Sequence, residues 1–151
     1  MKQVFLFSIC WMALSLSGIT QDQIGVQKAK VQTYLNKKFG TKGVSTPGGD
    51  SIRIAVHTGR FSPAEYIFTF DKKNQCTGET IITRCDSCYN GLLATALAKK
   101  NFQWKKINEN QYISRFEDKR MIEIFPDERE RSFSILRVDW NREIYDMLLK
   151  N

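Results

Sequence analysis

Histidine and proline are scarce in this chain. One histidine, His57, and three prolines, Pro47, Pro63 and Pro126, occur in 151 residues. A single imidazole excludes the His-Glu-x-x-His zinc helix, which needs two. Gly-x-Ser-x-Gly, a dinucleotide-binding fingerprint, a phosphate-binding loop ending in Gly-Lys-Ser/Thr and a calcium-loop pattern are also missing. The corresponding hydrolase, dehydrogenase, nucleotidase and calcium-sensor classes lose their sequence support. No Asn-x-Ser/Thr sequon occurs, so there is no acceptor for an N-linked glycan. A hydrolase with dispersed catalytic residues leaves no such trace and stays open.

What is present reads first as an export signal. Lys2 is followed by an apolar run from Val4 to Leu16, then by small residues from Ser15 to Thr20 and the polar Gln21-Asp22-Gln23. This is the charged, apolar and cleavage-zone order of a secretory signal peptide, so residues 1–20 are expected to be removed, with cleavage after Ser17, Gly18 or Thr20 and Thr20 the favoured site. The run is too short to span a bilayer, and no later segment is apolar enough to be a transmembrane helix. Residues 21–151 are expected to form a single domain, secreted or periplasmic. Composition is that of a globular protein, with 42% hydrophobic and 26% charged residues. Without Lys2 the chain keeps 22 basic residues against 16 acids, a net charge of +6. That sign suits an acidic partner such as an anionic polysaccharide or a lipid headgroup. Export disfavours nucleic acid, and the dispersal of the charges favours a simple solubility role.

Periodicity then gives the elements. Gln21 to Gly40 carries Ile24, Val31, Leu35 and Phe39 at helical spacing, with Lys28, Lys30, Lys37 and Lys38 mostly off that stripe. Gly40 suits a C-cap. A solvated basic face is the ordinary reading of such a helix. Thr41 to Asp50, with three glycines and Pro47, is a loop. Ser51 to His57 alternates as a half-buried strand, with His57 on its polar side. Tyr66 to Phe70 and Glu79 to Arg84 form an antiparallel hairpin across Asp71-Lys72-Lys73-Asn74. Asp86 or Ser87 is the expected N-cap of a helix from Tyr89 to Lys100. A meander follows: Phe102 to Ile107, Gln111 to Phe116, Arg120 to Phe125 and Ser132 to Val138. A final helix carries Ile144, Tyr145, Leu148 and Leu149. The expected class is α+β, an antiparallel β-sheet with helices packed on one face, in the order α-β-β-β-α-β-β-β-β-α. The order suggests a loose duplication, helix then meander, with no residue-level repeat behind it.

Three cysteines follow the signal: Cys76, Cys85 and Cys88. An oxidising compartment favours a disulfide. Nine strand steps separate Cys76 from Cys85, roughly 30 Å if the strand is straight, whereas a disulfide needs Cα atoms within about 7 Å. The expected bond is therefore Cys85–Cys88, with Cys76 free. A strand–CxxC–helix order also suits thiol-disulfide exchange, because a helix N-terminus favours a thiolate. Asp86 between the cysteines opposes that charge, and the hairpin before the motif differs from the βαβ approach of thioredoxin-like proteins. A zinc site from His57, Cys76, Cys85 and Cys88 is the weakest reading, since the third and fourth ligands are distant. The carboxylate pairs Glu117/Asp118 and Asp127/Glu128 fall in turns beside basic residues, where solvated, ionised side chains are the norm. Trp104, Tyr112, Phe116 and Trp140 are expected in the core.

The functional expectation is a non-catalytic exported module that binds a protein, glycan or small apolar ligand. A thiol-disulfide redox protein using Cys85 and Cys88 is the alternative. No catalytic residue, cofactor or metal is assigned.

Overall fold

A computed structural model describes residues 23–39, 44–45, 49–56, 64–99, 102–116, 120–139 and 141–150. The expected signal peptide, Gly40, His57, Pro47, Pro63, Glu117, Asp118 and Trp140 lie outside these residues. The elements run α1 (Lys28–Phe39), β1 (Val44–Ser45), β2 (Ser51–Val56), β3 (Ala64–Phe70), β4 (Cys76–Ile82), α2 (Asp86–Leu97), β5 (Lys105–Asn108), β6 (Gln111–Phe116), β7 (Arg120–Asp127), β8 (Ser132–Asp139) and α3 (Arg142–Lys150).

All strand pairs are antiparallel, in the order β1-β2-β3-β4-β8-β7-β6-β5. The α+β class and the antiparallel sheet match the sequence expectation. The order differs by one element: the two-residue β1 lies inside the expected Thr41–Asp50 loop and pairs with Ile52 and Arg53. Two four-stranded meanders, each preceded by a helix, meet through their last strands, β4 and β8. The central β4–β8 pair is antiparallel, and the strand order runs outward from it in the same sense in both halves.

Alternation fixes which side chains meet. Ile52, Phe68, Glu79, Ile135, Ile124 and Tyr112 form one cross-strand row, and Ile54, Tyr66, Ile81 and Phe133 lie in the next. Val31 and Leu35 of α1, and Tyr89 and Ala96 of α2, join the apolar members of these rows in one core cluster. The two helices thus cover the same face, as expected. Phe68 and Phe133 are fully buried there, each worth about 1.5–3 kcal/mol of apolar transfer. Trp104 and Tyr112 pack against the cluster, half-buried.

The other face is different. It carries Arg53, Ala55, Glu65, Thr69, Thr80, Ser132 and Ser134, with an Arg53–Glu65 ion pair at 3.1 Å and a Thr80–Ser134 hydroxyl bond at 2.8 Å. Ile67, Ile82 and Leu136 are half-buried among them. Ile113 also points this way by register, yet it is fully buried and stands outside the main cluster. α3 approaches β5 at this end of the sheet.

Several boundaries move: β5, expected from Phe102, begins at Lys105, and two further shifts have visible causes. α1 begins at Lys28, because the residues before it run along the β3–β4 turn: Gly25 N–H donates to Cys76 O, Cys76 N–H to Val26 O and Lys28 N–H to Asn74 O. β4 begins at Cys76, earlier than the expected Glu79, with a register shift at Thr69/Phe70. Beside the shift only glycine fits at position 78, where a Cβ would come within 2.7 Å of Thr69 Oγ1 and 2.8 Å of Leu136 Cδ2.

Candidate functional site

Three places concentrate chemistry. The first is the start of α2. Cys85 and Cys88 are bonded through their sulfurs, with Cα atoms 5.2 Å apart. Cys85 itself is the N-cap, in extended conformation, and its sulfur accepts the Cys88 N–H at 3.0 Å. The expected cap, Asp86 or Ser87, is thus displaced by one residue or more. The sulfur already occupies the position of a capping oxygen, so the helix starts at Asp86. The Asp86 carboxylate instead forms an ion pair with Arg131 from the β7–β8 turn. Thr83 ties the same turn to β4, its N–H and hydroxyl both donating to Arg131 O at 3.0 Å.

The second place lies beneath α1 and α2. Glu79 is fully buried on the helix-covered face, opposite Phe68 and Ile135. Cys76 is free and buried. Burial, with the Glu79 carboxylate second, pushes the Cys76 thiol up to about 12. The same causes in the same order hold the Tyr66 phenol well above its ordinary value. The thiol and the phenol are sealed in the core, where burial and the Glu79 charge disfavour their ionisation.

The third is an open hollow of about 410 Å³ at the end of the β3–β4 hairpin. It is lined by Asp71, Lys72, Lys73, Gln75, Arg137 and Asp139. The turn is built by Asp71, whose Oδ1 accepts the N–H groups of Lys73 and Gln75, each at 2.9 Å. Asn74 takes a left-handed conformation with φ of 58°, which asparagine tolerates. Arg137 reaches across from β8, donating to Asp71 Oδ2 at 2.9 Å and Gln75 Oε1 at 3.3 Å. The backbone bond from Gln75 is the main cause of a lowered Asp71 pKa. The hydrogen bond and charge of Arg137 and the N–H of Lys73 add to it against partial desolvation. The result is a charged rim held in place from two strands.

The hollow was not assigned from sequence. A usable signal existed: Arg137 continues the inward alternation of Phe133 and Ile135, so its guanidinium must meet a partner at the sheet end. Glu79 gives the same signal by sharing parity with Ile81. Neither could be acted on without the register between β4 and β8.

The remaining expectations fall as follows. Asp127 closes a turn, its Oδ1 accepting the Glu130 N–H at 3.1 Å, and it stands exposed beside Glu128. Among the described residues no group of three or more His, Cys, Asp or Glu side chains is placed to share a metal ion. The Cys85–Cys88 bond engages two of the four ligands considered for zinc, and Cys76 is sealed away from them. No described helix is long and apolar enough to cross a membrane. No family model matches the chain, and neither a curated protein nor a solved structure similar to it was found.

Proposed function

We propose that this chain is an exported, non-catalytic binding module, secreted or periplasmic, whose ligand surface is the hollow at the end of the β3–β4 hairpin. The observation that carries the reading is the doubly anchored Arg137, fixed by Asp71 and Gln75 inside an open concavity. Preorganised polar groups lower the ordering cost of binding. The lining favours a polar ligand, a glycan or a charged protein segment, over the small apolar ligand that the composition alone allowed. Reactive groups away from the hollow support the same reading. Cys76 and Glu79 are buried, and burial disfavours the Cys76 thiolate that nucleophilic chemistry would need.

The test is a screen of immobilised glycans and peptides with the purified protein and two variants, Lys73→Glu and Asp139→Lys. Both residues line the hollow and are exposed, so reversal should leave the fold intact. A charged ligand bound in the hollow changes affinity in opposite directions for the two reversals, and a neutral glycan bound there loses affinity with either. A captured ligand indifferent to both removes the hollow from consideration.

A thiol-disulfide redox role is the second reading, favoured by one arrangement. The Cys88 N–H would stabilise a Cys85 thiolate after reduction, and Arg131 offsets the adjacent Asp86 charge. Mass spectrometry before and after mild reductant decides it: a bond that resists such treatment ends this reading.

A further inference from the structure

We infer that the ligand is an anionic polysaccharide and that it lies along a lysine track running from α1 to the β3–β4 turn. This rests on the binding-module reading and assigns the ligand class. α1 contains four lysines and no acidic residue over its twelve positions. Lys30 and Lys37 are exposed, and their seven-residue spacing puts them on one side of the helix, about 10 Å apart along the axis. Lys72 and Lys73 are exposed in the turn that the start of α1 is bonded to, through Lys28 N–H to Asn74 O at 2.8 Å and the Gln27–Gln75 bridge. The track therefore ends at the hollow, whose lining holds Lys72, Lys73 and Arg137 against the two carboxylates of Asp71 and Asp139.

Two observations separate this track from an ordinary solvated face. In the first turn of α1 the Lys28 ammonium is held by Gly49 O at 2.9 Å and lies over the Phe70 ring, whereas Lys30 stands exposed at the positive end of the helix dipole with no acid in that turn. Helix stability alone selects against that placement. The acidic residue that opens the turn, Asp71, is engaged by Arg137 and by backbone N–H groups rather than by Lys72 or Lys73 side chains.

The chemistry also distinguishes the partner. A membrane-surface helix needs an apolar side for the acyl boundary, and α1 buries Val31 and Leu35 in the core. Single-stranded nucleic acid needs aromatic platforms for its bases. The aromatic residues of α1, Tyr34 and Phe39, are half-buried, with the Lys38 ammonium over both rings. A linear polyanion needs neither feature, only spaced cations along an exposed path.

The experiment measures binding of dextran sulfate at low salt by calorimetry, with uncharged dextran as the blank. The main variant is K30Q/K37Q/K72Q/K73Q. A charge-matched control, R84Q/K105Q/R129Q/K150Q, removes four exposed cations elsewhere. The track variant should bind about tenfold or more weakly, and the control should stay within about threefold of the unaltered protein, given the usual worth of exposed ion pairs. The pairs K30Q/K37Q and K72Q/K73Q, each expected to give an intermediate loss, replace the fourfold variant if it fails to fold. Equal losses in track and control variants would reduce the effect to net charge and overturn the inference. So would binding to phosphatidylglycerol vesicles without binding to dextran sulfate. A neutral glycan retained in the screen, with no dextran sulfate binding, overturns this inference and leaves the module reading standing.

Discussion

At the scale of single residues, the core holds two groups that sequence patterning assigns to ordinary positions. Cys76 and Glu79 sit three apart on β4, both buried. The charge of Glu79 adds to burial in suppressing the Cys76 thiolate. The raised thiol pKa has a definite sign. Its stabilising contribution is fully present below the ordinary thiol value near 9 and is lost as pH rises toward 12. At pH 10 the loss is about 1 kcal/mol. Urea unfolding at pH 8 and pH 10 should show that decrement in the unaltered protein and a smaller one in Cys76→Ala, where only Tyr66 and other alkaline groups remain. An equal decrement in both would show that the Cys76 thiol is not held neutral by its surroundings. The free cysteine was legible from strand spacing. Its pairing with a buried carboxylate was not, because the shift at Thr69/Phe70 sets which β4 residues face inward.

At the scale of elements, α2 depends on one residue for two functions. Cys85 closes the disulfide and supplies the capping sulfur. The two contributions can be separated. C85S/C88S removes the cross-link but keeps a capping hydroxyl, and should cost about 2 kcal/mol for so short a loop. C85A/C88A removes both and should cost about 1 kcal/mol more. Thermal and urea unfolding of the two variants checks the difference. Identical stabilities would mean that the cap at this helix is not a side-chain cap. The helix itself was evident from Tyr89, Leu92, Leu93, Ala96 and Leu97. Its first turn was assigned to the wrong cap because Asp86 and Ser87 have the stronger intrinsic preference. The disulfide and the Arg131 partner, distant in sequence, override that preference.

At the scale of the whole molecule, two helix-meander halves share one sheet through β4 and β8. Their hairpin turns are alike in kind. Each opens with an aspartate, Asp71 or Asp127, whose Oδ1 accepts backbone N–H groups, and each contains one left-handed residue, Asn74 or Arg131. The shared pair is the hub of the core, so stability should fall outward from it. Hydrogen exchange followed by mass spectrometry should find β4 and β8 slowest, and β5, an edge strand with Lys105 and Lys106 exposed, among the fastest. Phe133→Ala, on β8 directly across from Ile81 of β4, should cost about 3–5 kcal/mol and accelerate exchange in both halves. Acceleration confined to β5–β8 would show that the halves unfold separately.

By itself the sequence determined the local features. The alternation of Ile52, Ile54 and Val56, the Asp71–Asn74 turn, the helical stripes and the Cys85–Cys88 spacing each depend on neighbours within a few residues. The α+β class followed from their order. Only the tertiary structure decided the joining of β4 to β8, which brings residues fifty or more positions apart into register. That pairing buries Glu79 against Ile135 and carries Arg137 to Asp71. It assembles the hollow where the lysine track ends. Long-range register depends on the summed fit of both sheet faces, a quantity that no single stretch of the chain contains.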